Sequence, residues 1–215
     1  LSGSVWKKII AFSFPLAATS ILQQLFNSAD VAVVGRFAGS AALAAVGANV
    51  ANVGVFVNFL VGFSVGPNVV LSRLIGQGNE GEARKIPAAS IALAVLIGVV
   101  FFVFGEILTG FLLRSISTPD DVFGEAALYF RIYLVGMPFL AVYNFGSAIL
   151  RSVGDTKRPL YILIASGILN VILNLVFVIY FKMGVSGVAV STVISEILSC
   201  FAVVAILVFE KGVLH

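Results

Sequence analysis

An all-α, polytopic membrane protein, folded as a bundle of six transmembrane helices, is the fold class this sequence predicts. Two observations carry that expectation. The first is composition. Of 215 residues, 60% are hydrophobic and only 11% charged, with a mean hydropathy of +1.12, whereas a soluble domain carries roughly 25% charged residues. So little charge leaves too little polar surface to face water. The second is the spacing of the apolar stretches. A bilayer core takes about 20 apolar residues per helix, and six stretches of this chain reach that length.

The spans are expected at about 9–34, 41–75, 86–113, 122–150, 159–181 and 185–209. The first is too long for the core of a signal peptide and lacks a small-residue cleavage pattern, so it reads as a retained span. Pro15 lies inside it. Turn-rich residues 35–40 separate it from the second span, which carries Gly62 and Gly66 four apart, a spacing that lets helix backbones approach closely. The run GQGNEGEARK (76–85) leads to the third span, and SISTPDD (115–121) leads to the fourth. Pro138 interrupts the fourth span; like Pro15 it removes a backbone hydrogen bond and is expected to bend its helix. RSVGDTKR (151–158) and KMG (182–184) complete the joints, none of them long enough for a water-soluble domain.

Net charge is +3. The bases sit at helix ends and are not interleaved with aromatic residues in a patch, so nucleic acid is not an expected partner. They read instead as an orientation signal. With the N-terminus inside, Lys7, Lys8, Arg73, Arg84, Lys85, Arg151, Lys157, Arg158 and Lys211 fall on the cytoplasmic side, against Arg36, Arg114, Arg131 and Lys182 outside. Both termini are therefore expected in the cytoplasm. Cys200 and His215 are the sole cysteine and histidine. That removes an internal disulfide, most zinc chemistry and any histidine-based triad. No Walker-type phosphate loop, G-x-S-x-G or H-E-x-x-H motif occurs. The expectation is a protein that is not an enzyme and carries no cofactor.

Ionisable groups inside membrane spans are costly and usually functional. Asp30, in LQQLFNSADVAVVG, is the clearest case. Counting inwards from the outer helix ends at about 1.5 Å per residue, Asp30, Tyr129, Asn170, Asn174 and Thr192 fall in one layer roughly 6–17 Å deep. Asn170 and Asn174 are four apart and share a helix face. One carboxylate among neutral oxygens suits a proton or a hard cation such as Na⁺. Two other readings stand beside this one: Asp30 as a helix cap near the interface, and the five residues as interhelical hydrogen bonds. Glu196, one turn from Thr192, is a second deep acid and a secondary candidate. Gln23, Gln24, Asn27, Asn49, Asn58 and Asn144 are expected to hydrogen-bond between helices. Glu106 and Arg131 are expected near the outer interface, within snorkelling reach of headgroups. The 19 phenylalanines read as lipid-facing or packing residues, a subset of which could line an apolar drug site.

The segment PLAATSILQQLFNSADVAVVGRFAGSAALAAVGA resembles the first two helices of multidrug and toxic compound extrusion (MATE) transporters in its Pro15, Asp30, Gly35 and AALAAVGA pattern. VLSRLIGQGNEGEARK, RSVGDTKRPLYILIASGILNVILNLVFVI and GVSGVAVSTVISE resemble successive later regions of that family, so the likeness runs along the chain. It implies the amino-terminal six-helix lobe of a twelve-helix transporter whose second lobe is absent from this chain. It implies exchange of cationic or amphipathic drugs and toxic compounds for H⁺ or Na⁺, in a bacterial or archaeal plasma (inner) membrane. In one branch of the family the coupling site is built by positions that here are Asp30, Tyr129, Asn170, Asn174 and Thr192, with Na⁺ at Asp30, Asn170, Asn174 and Thr192. Two positions depart from that pattern: Asn174 stands where the branch has a second Asp, and Glu196 where a Gln is usual. The expected partners are small-molecule substrates, membrane lipid, and a second lobe or second copy to complete the cleft. A chain that starts at Leu1 and stops after its sixth span is expected to be a fragment. Alternatives are a lipid-linked oligosaccharide flippase of the same superfamily and a non-transporting membrane assembly partner. The deep ionisable residues are acidic, which counts against the flippase.

Overall fold

The computed structural model describes residues 5–209, and of their side chains all but those of 5–9, 11 and 12. Lys211 and His215 lie outside the described residues, and so do the side chains of Lys7 and Lys8. The described residues form helices α1 (Val5–Phe37), α2 (Ser40–Gly76), α3 (Glu80–Ala83), α4 (Ile86–Ser115), α5 (Asp120–Val135), α6 (Met137–Ser152), α7 (Lys157–Leu175) and α8 (Gly184–Phe209), with a π-helical turn, Val176–Tyr180, continuing α7. Strands are absent among them. The chain is an all-α, polytopic membrane protein.

Four stretches are long and apolar enough to cross a bilayer: α2, α3 with α4, α7 with its π turn, and α8. The bent pair α5 and α6 supplies a fifth. At 33 residues α1 is long enough, but Gln23, Gln24, Asn27, Ser28 and Asp30 lower its apolar content. It continues as an α-helix through Pro15. The α1–α2 joint turns at Gly39, whose φ of 92° is a conformation that a side chain disfavours. Within the 76–85 joint, the Asn79 side chain accepts the Glu82 amide at 3.3 Å and caps the short α3.

α6 runs through the middle of the bundle. All residues from 141 to 150 are buried, against α4, α2 and α8. Large apolar residues on the outside are left bare, among them Phe59, Phe104, Ile107 and Phe111, each more than half exposed. Buried polar residues, including Asn49, Asn170, Asn174 and Ser191, face inward. An apolar exterior around a partly polar interior is the arrangement lipid demands.

The fourth predicted span is two helices. α5 and α6 diverge by 47°, with Gly136 alone between them. Pro138 has no N–H to give the Leu134 carbonyl, and Gly136 imposes no Cβ on the turn. Small residues on α4 let it approach this break. A Cβ on Gly98 would meet the Pro138 backbone, with the Pro138 nitrogen at 3.0 Å and the Met137 carbonyl at 3.1 Å. One on Gly105 would meet the Leu134 side chain. Gly62 and Gly66, by contrast, have no atom within 4 Å of such a position, so this glycine pair mediates no packing among the described residues.

Of the amides expected to bridge helices, Asn49 does so. Fully buried on α2, it donates to the Ala126 carbonyl of α5 and to its own Ala45, both at 2.9 Å. Asn49→Ala is expected to cost about 1–2 kcal/mol, seen as a lower Tm of the purified protein with the helical signal intact. Asn144 instead donates to Leu140 on its own helix, while Gln23, Gln24, Asn27 and Asn58 are exposed. Helical spacing does not say which face a neighbour covers. Glu106 and Arg131 pair with each other across α4 and α5 at 3.7 Å.

Candidate functional site

The register of α1 against α7 brings the layer of polar residues together. Gly167 on α7 makes room for the Phe26 ring of α1, which would collide with any side chain there. One turn on from Phe26 is Asp30, and three and seven residues on from Gly167 are Asn170 and Asn174, on the same face of α7. The ring–glycine contact therefore carries Asp30 to the two amides.

Asn174 is fully buried and donates its Nδ2 to Asp30 Oδ1 at 2.5 Å. Its Oδ1 accepts from the Ser191 hydroxyl of α8, whose Oγ also lies 2.8 Å from the Gly187 carbonyl. This amide orientation gives each Asn174 atom a suitable partner. Asn170 sits between Asp30 and Thr192. Turned with its nitrogen to the acid, it donates to Asp30 Oδ1 at 2.7 Å, and its oxygen accepts from Thr192 Oγ1 at 3.3 Å. Thr192 Oγ1 also lies 3.0 Å from the Val188 carbonyl of its own helix, a second acceptor for its one proton. Asp30, Asn170, Asn174 and Thr192 thus join α1, α7 and α8 through side chains alone.

Tyr129 lies beside this cluster on α5. It is buried, and its ring stacks on Tyr133 at 6.3 Å between centroids. It is within electrostatic reach of both Asp30 and Glu196. Glu196 lies deeper on α8, with its carboxyl facing the Tyr133 hydroxyl. No ion pair to Asp30 or Glu196 occurs among the described residues, and nowhere among them do three or more His, Cys, Asp or Glu residues gather as a metal site.

Two residues of the cluster escape a reading of the sequence. Ser191 precedes Thr192 and looks like a small packing residue; only the approach of α7 gives its hydroxyl a partner. Tyr133 is four residues from Tyr129, a spacing that could have flagged it as a companion on the same face. A separate feature lies on α2, where Val55, Asn58, Phe59, Gly62 and Phe63 line an open groove of about 600 Å³.

A lipid-facing helical bundle holding an unpaired carboxylate among amides and hydroxyls defines the class: a polytopic membrane protein with a polar site inside its helices. Residues 15–176 match the MatE family, and the chain belongs to it. It is 33% identical over 198 residues to the probable multidrug resistance protein YoeA of Bacillus subtilis (strain 168), covering 90% of this chain and 43% of that protein. It is also 33% identical over 195 residues to the probable multidrug resistance protein YpnP of the same organism, covering 90% of this chain and 44% of that one. The chain therefore spans less than half the length of these curated relatives. A crystal structure of MATE in the bent conformation superposes with a TM-score of 0.90 at 26% identity, over 96% of this chain and 46% of that one.

Proposed function

We propose that this chain forms the amino-terminal lobe of an exporter that moves cationic or amphipathic compounds out of the cell in exchange for H⁺ or Na⁺, and that Asp30 is the group the driving ion neutralises. One observation carries this reading: a carboxylate inside the bundle whose polar contacts are amides rather than a base. Its charge has no permanent counter-charge, which leaves it open to a mobile one. The amides suit either state. With nitrogen inward they donate to the carboxylate, and with oxygen inward they could help hold a cation. Thr192 and Tyr129 border the same space. Glu196 is a secondary acid, deeper on α8 and facing Tyr133.

The exposed polar residues of α1 and α2 support the missing half of the reading. Gln23, Gln24, Asn27 and Asn58 are too polar for lipid. They suit a water-filled cleft shared with a second lobe, or with a second copy of this chain. The α2 groove, with two phenylalanines and an asparagine, offers aromatic faces to an amphipathic cation. A bacterial or archaeal inner membrane with both termini cytoplasmic is the setting that fits the distribution of bases. Transport, rather than catalysis, is the activity this set of groups serves.

The test is efflux of a fluorescent organic cation from proteoliposomes carrying the intact protein. Transport should follow an imposed gradient of one ion and cease when an ionophore collapses it. Transport indifferent to both gradients would exclude coupling. Asn174→Asp, which adds a second carboxylate, is expected to increase the response to a Na⁺ gradient at least severalfold, read in the same assay. An unchanged Na⁺ response would remove Asn174 from the site.

A further inference from the structure

Glu196 stands apart from the cluster around Asp30. It lies on α8 one turn beyond Thr192, and its carboxyl is turned towards the joint between α5 and α6. There it faces the Tyr133 hydroxyl. Its other oxygen, Oε2, is buried without a hydrogen-bond partner. That oxygen fills the space where a side chain on Gly136 would stand. The Tyr133 carbonyl borders the same space, 3.1 Å from the position of such a Cβ. Gly136 is the one residue between the two helices, and their axes turn by 47° across it.

These contacts have different consequences for the two forms of the acid. A carboxylate can only accept hydrogen bonds, and the Oε2 edge offers it no donor, which is costly in a buried setting. In the neutral acid Oε2 carries an O–H and becomes a donor. The Tyr133 carbonyl beside it accepts the Gly136 amide at 2.9 Å and keeps a second lone pair free. Proton loading therefore puts a donor into the space that the Tyr133 carbonyl borders, where a hydrogen bond would tie α8 to the last turn of α5. Release returns the proton to water and leaves a charged oxygen in that space with no donor, which favours withdrawal of α8 from the bend.

We propose that Glu196 is a second proton site, separate from Asp30, whose loading holds the α5–α6 bend and whose release frees it. The proposal rests on the reading of this chain as part of an ion-driven transporter and specifies a proton as one of the ions it takes up. Other titratable groups near α8 are few. Tyr129 and Tyr133 come from α5 and Asp30 from α1, all within electrostatic reach of one another. On α6, Tyr143 donates to the Pro159 carbonyl at 3.2 Å, with Arg151 as its charged neighbour. Among the described residues, α2, α7 and the π turn present no acid or base to the Glu196 carboxyl.

The bend can be read directly. Spin labels at positions 128 and 153, both exposed, flank the break; they would be placed in the intact protein in lipid nanodiscs, with Cys200→Ser removing the thiol of this chain. The distance between them should shift by several ångström between acid and alkaline pH. Glu196→Gln, whose amide can donate to the same carbonyl, should hold the acid distance throughout. Tyr133→Phe, which keeps the backbone but removes the facing hydroxyl, should displace the midpoint of the change, and it carries the test should Glu196→Gln fail to fold. Asp30→Asn should leave the change in place. A distance independent of pH, a Glu196→Gln protein that responds like the parent, an unmoved midpoint in Tyr133→Phe, or loss of the response in Asp30→Asn would each overturn the proposal. Normal coupled efflux by Asp30→Asn, with the distance change retained, would sink the role of Asp30 while leaving Glu196 standing.

Discussion

Asp30→Asn is expected to reduce ion-driven efflux to the level of protein-free liposomes while the protein still inserts and accumulates. The substitution keeps the shape of the side chain and removes its charge. An amide at position 30 can still pair with Asn174 and Asn170 once the amides turn, because each offers both a donor and an acceptor. The fold should therefore lose little, about 1 kcal/mol, and Tm should fall only slightly. What disappears is the one acid held against amides of α7, which are joined to α8 through Ser191 and Thr192. Without it no ion can be exchanged at this point between α1, α7 and α8. Measuring efflux and Tm on the same preparation separates the two effects. Full efflux by Asp30→Asn would make the carboxylate a structural hydrogen-bond acceptor and nothing more.

Gly98→Ala is expected to lower the stability of the bundle by about 1–3 kcal/mol. The added carbon would press on the Pro138 backbone and the Met137 carbonyl. A backbone cannot rotate away as a side chain can, so either α4 withdraws from α6 or the break changes its angle. Gly105→Ala should cost less, because the obstacle there is the Leu134 side chain. Gly62→Ala should be close to neutral in the same thermal assay, since nothing lies within 4 Å. Equal losses for Gly98→Ala and Gly62→Ala would mean that helix propensity or surface effects, not the contact at the break, set the cost. The break that this contact supports is also where Glu196 lies.

Much of the site could be read along the chain, because depth in a membrane helix is a matter of counting. Asp30, Asn170, Asn174 and Thr192 share a level by helical rise, and the structure joins them by hydrogen bonds. Direction around the helix axis is harder to read. Gln23, Gln24, Asn27 and Asn58 carry the same chemistry as Asn49, yet they are exposed while Asn49 ties α2 to α5. Ser191 and Tyr133 have unremarkable local context and acquire their partners only from α7 and α8. The glycines divide in the same way. Gly98 and Gly167 receive a neighbour and Gly62 does not, although nothing in their flanking residues separates them.

By itself the sequence determined that the chain is helical, that it belongs in lipid, and which of its polar groups share a level. Those properties follow from composition, the length of apolar runs and a fixed rise per residue, all of them local or summed along one strand of residues. Only the tertiary structure decided which polar groups touch, where the fourth span divides, and which acid faces amides and which faces a bent backbone. Those depend on the rotation and crossing of one helix against another, set by packing between residues as distant in the chain as Asp30 and Asn174.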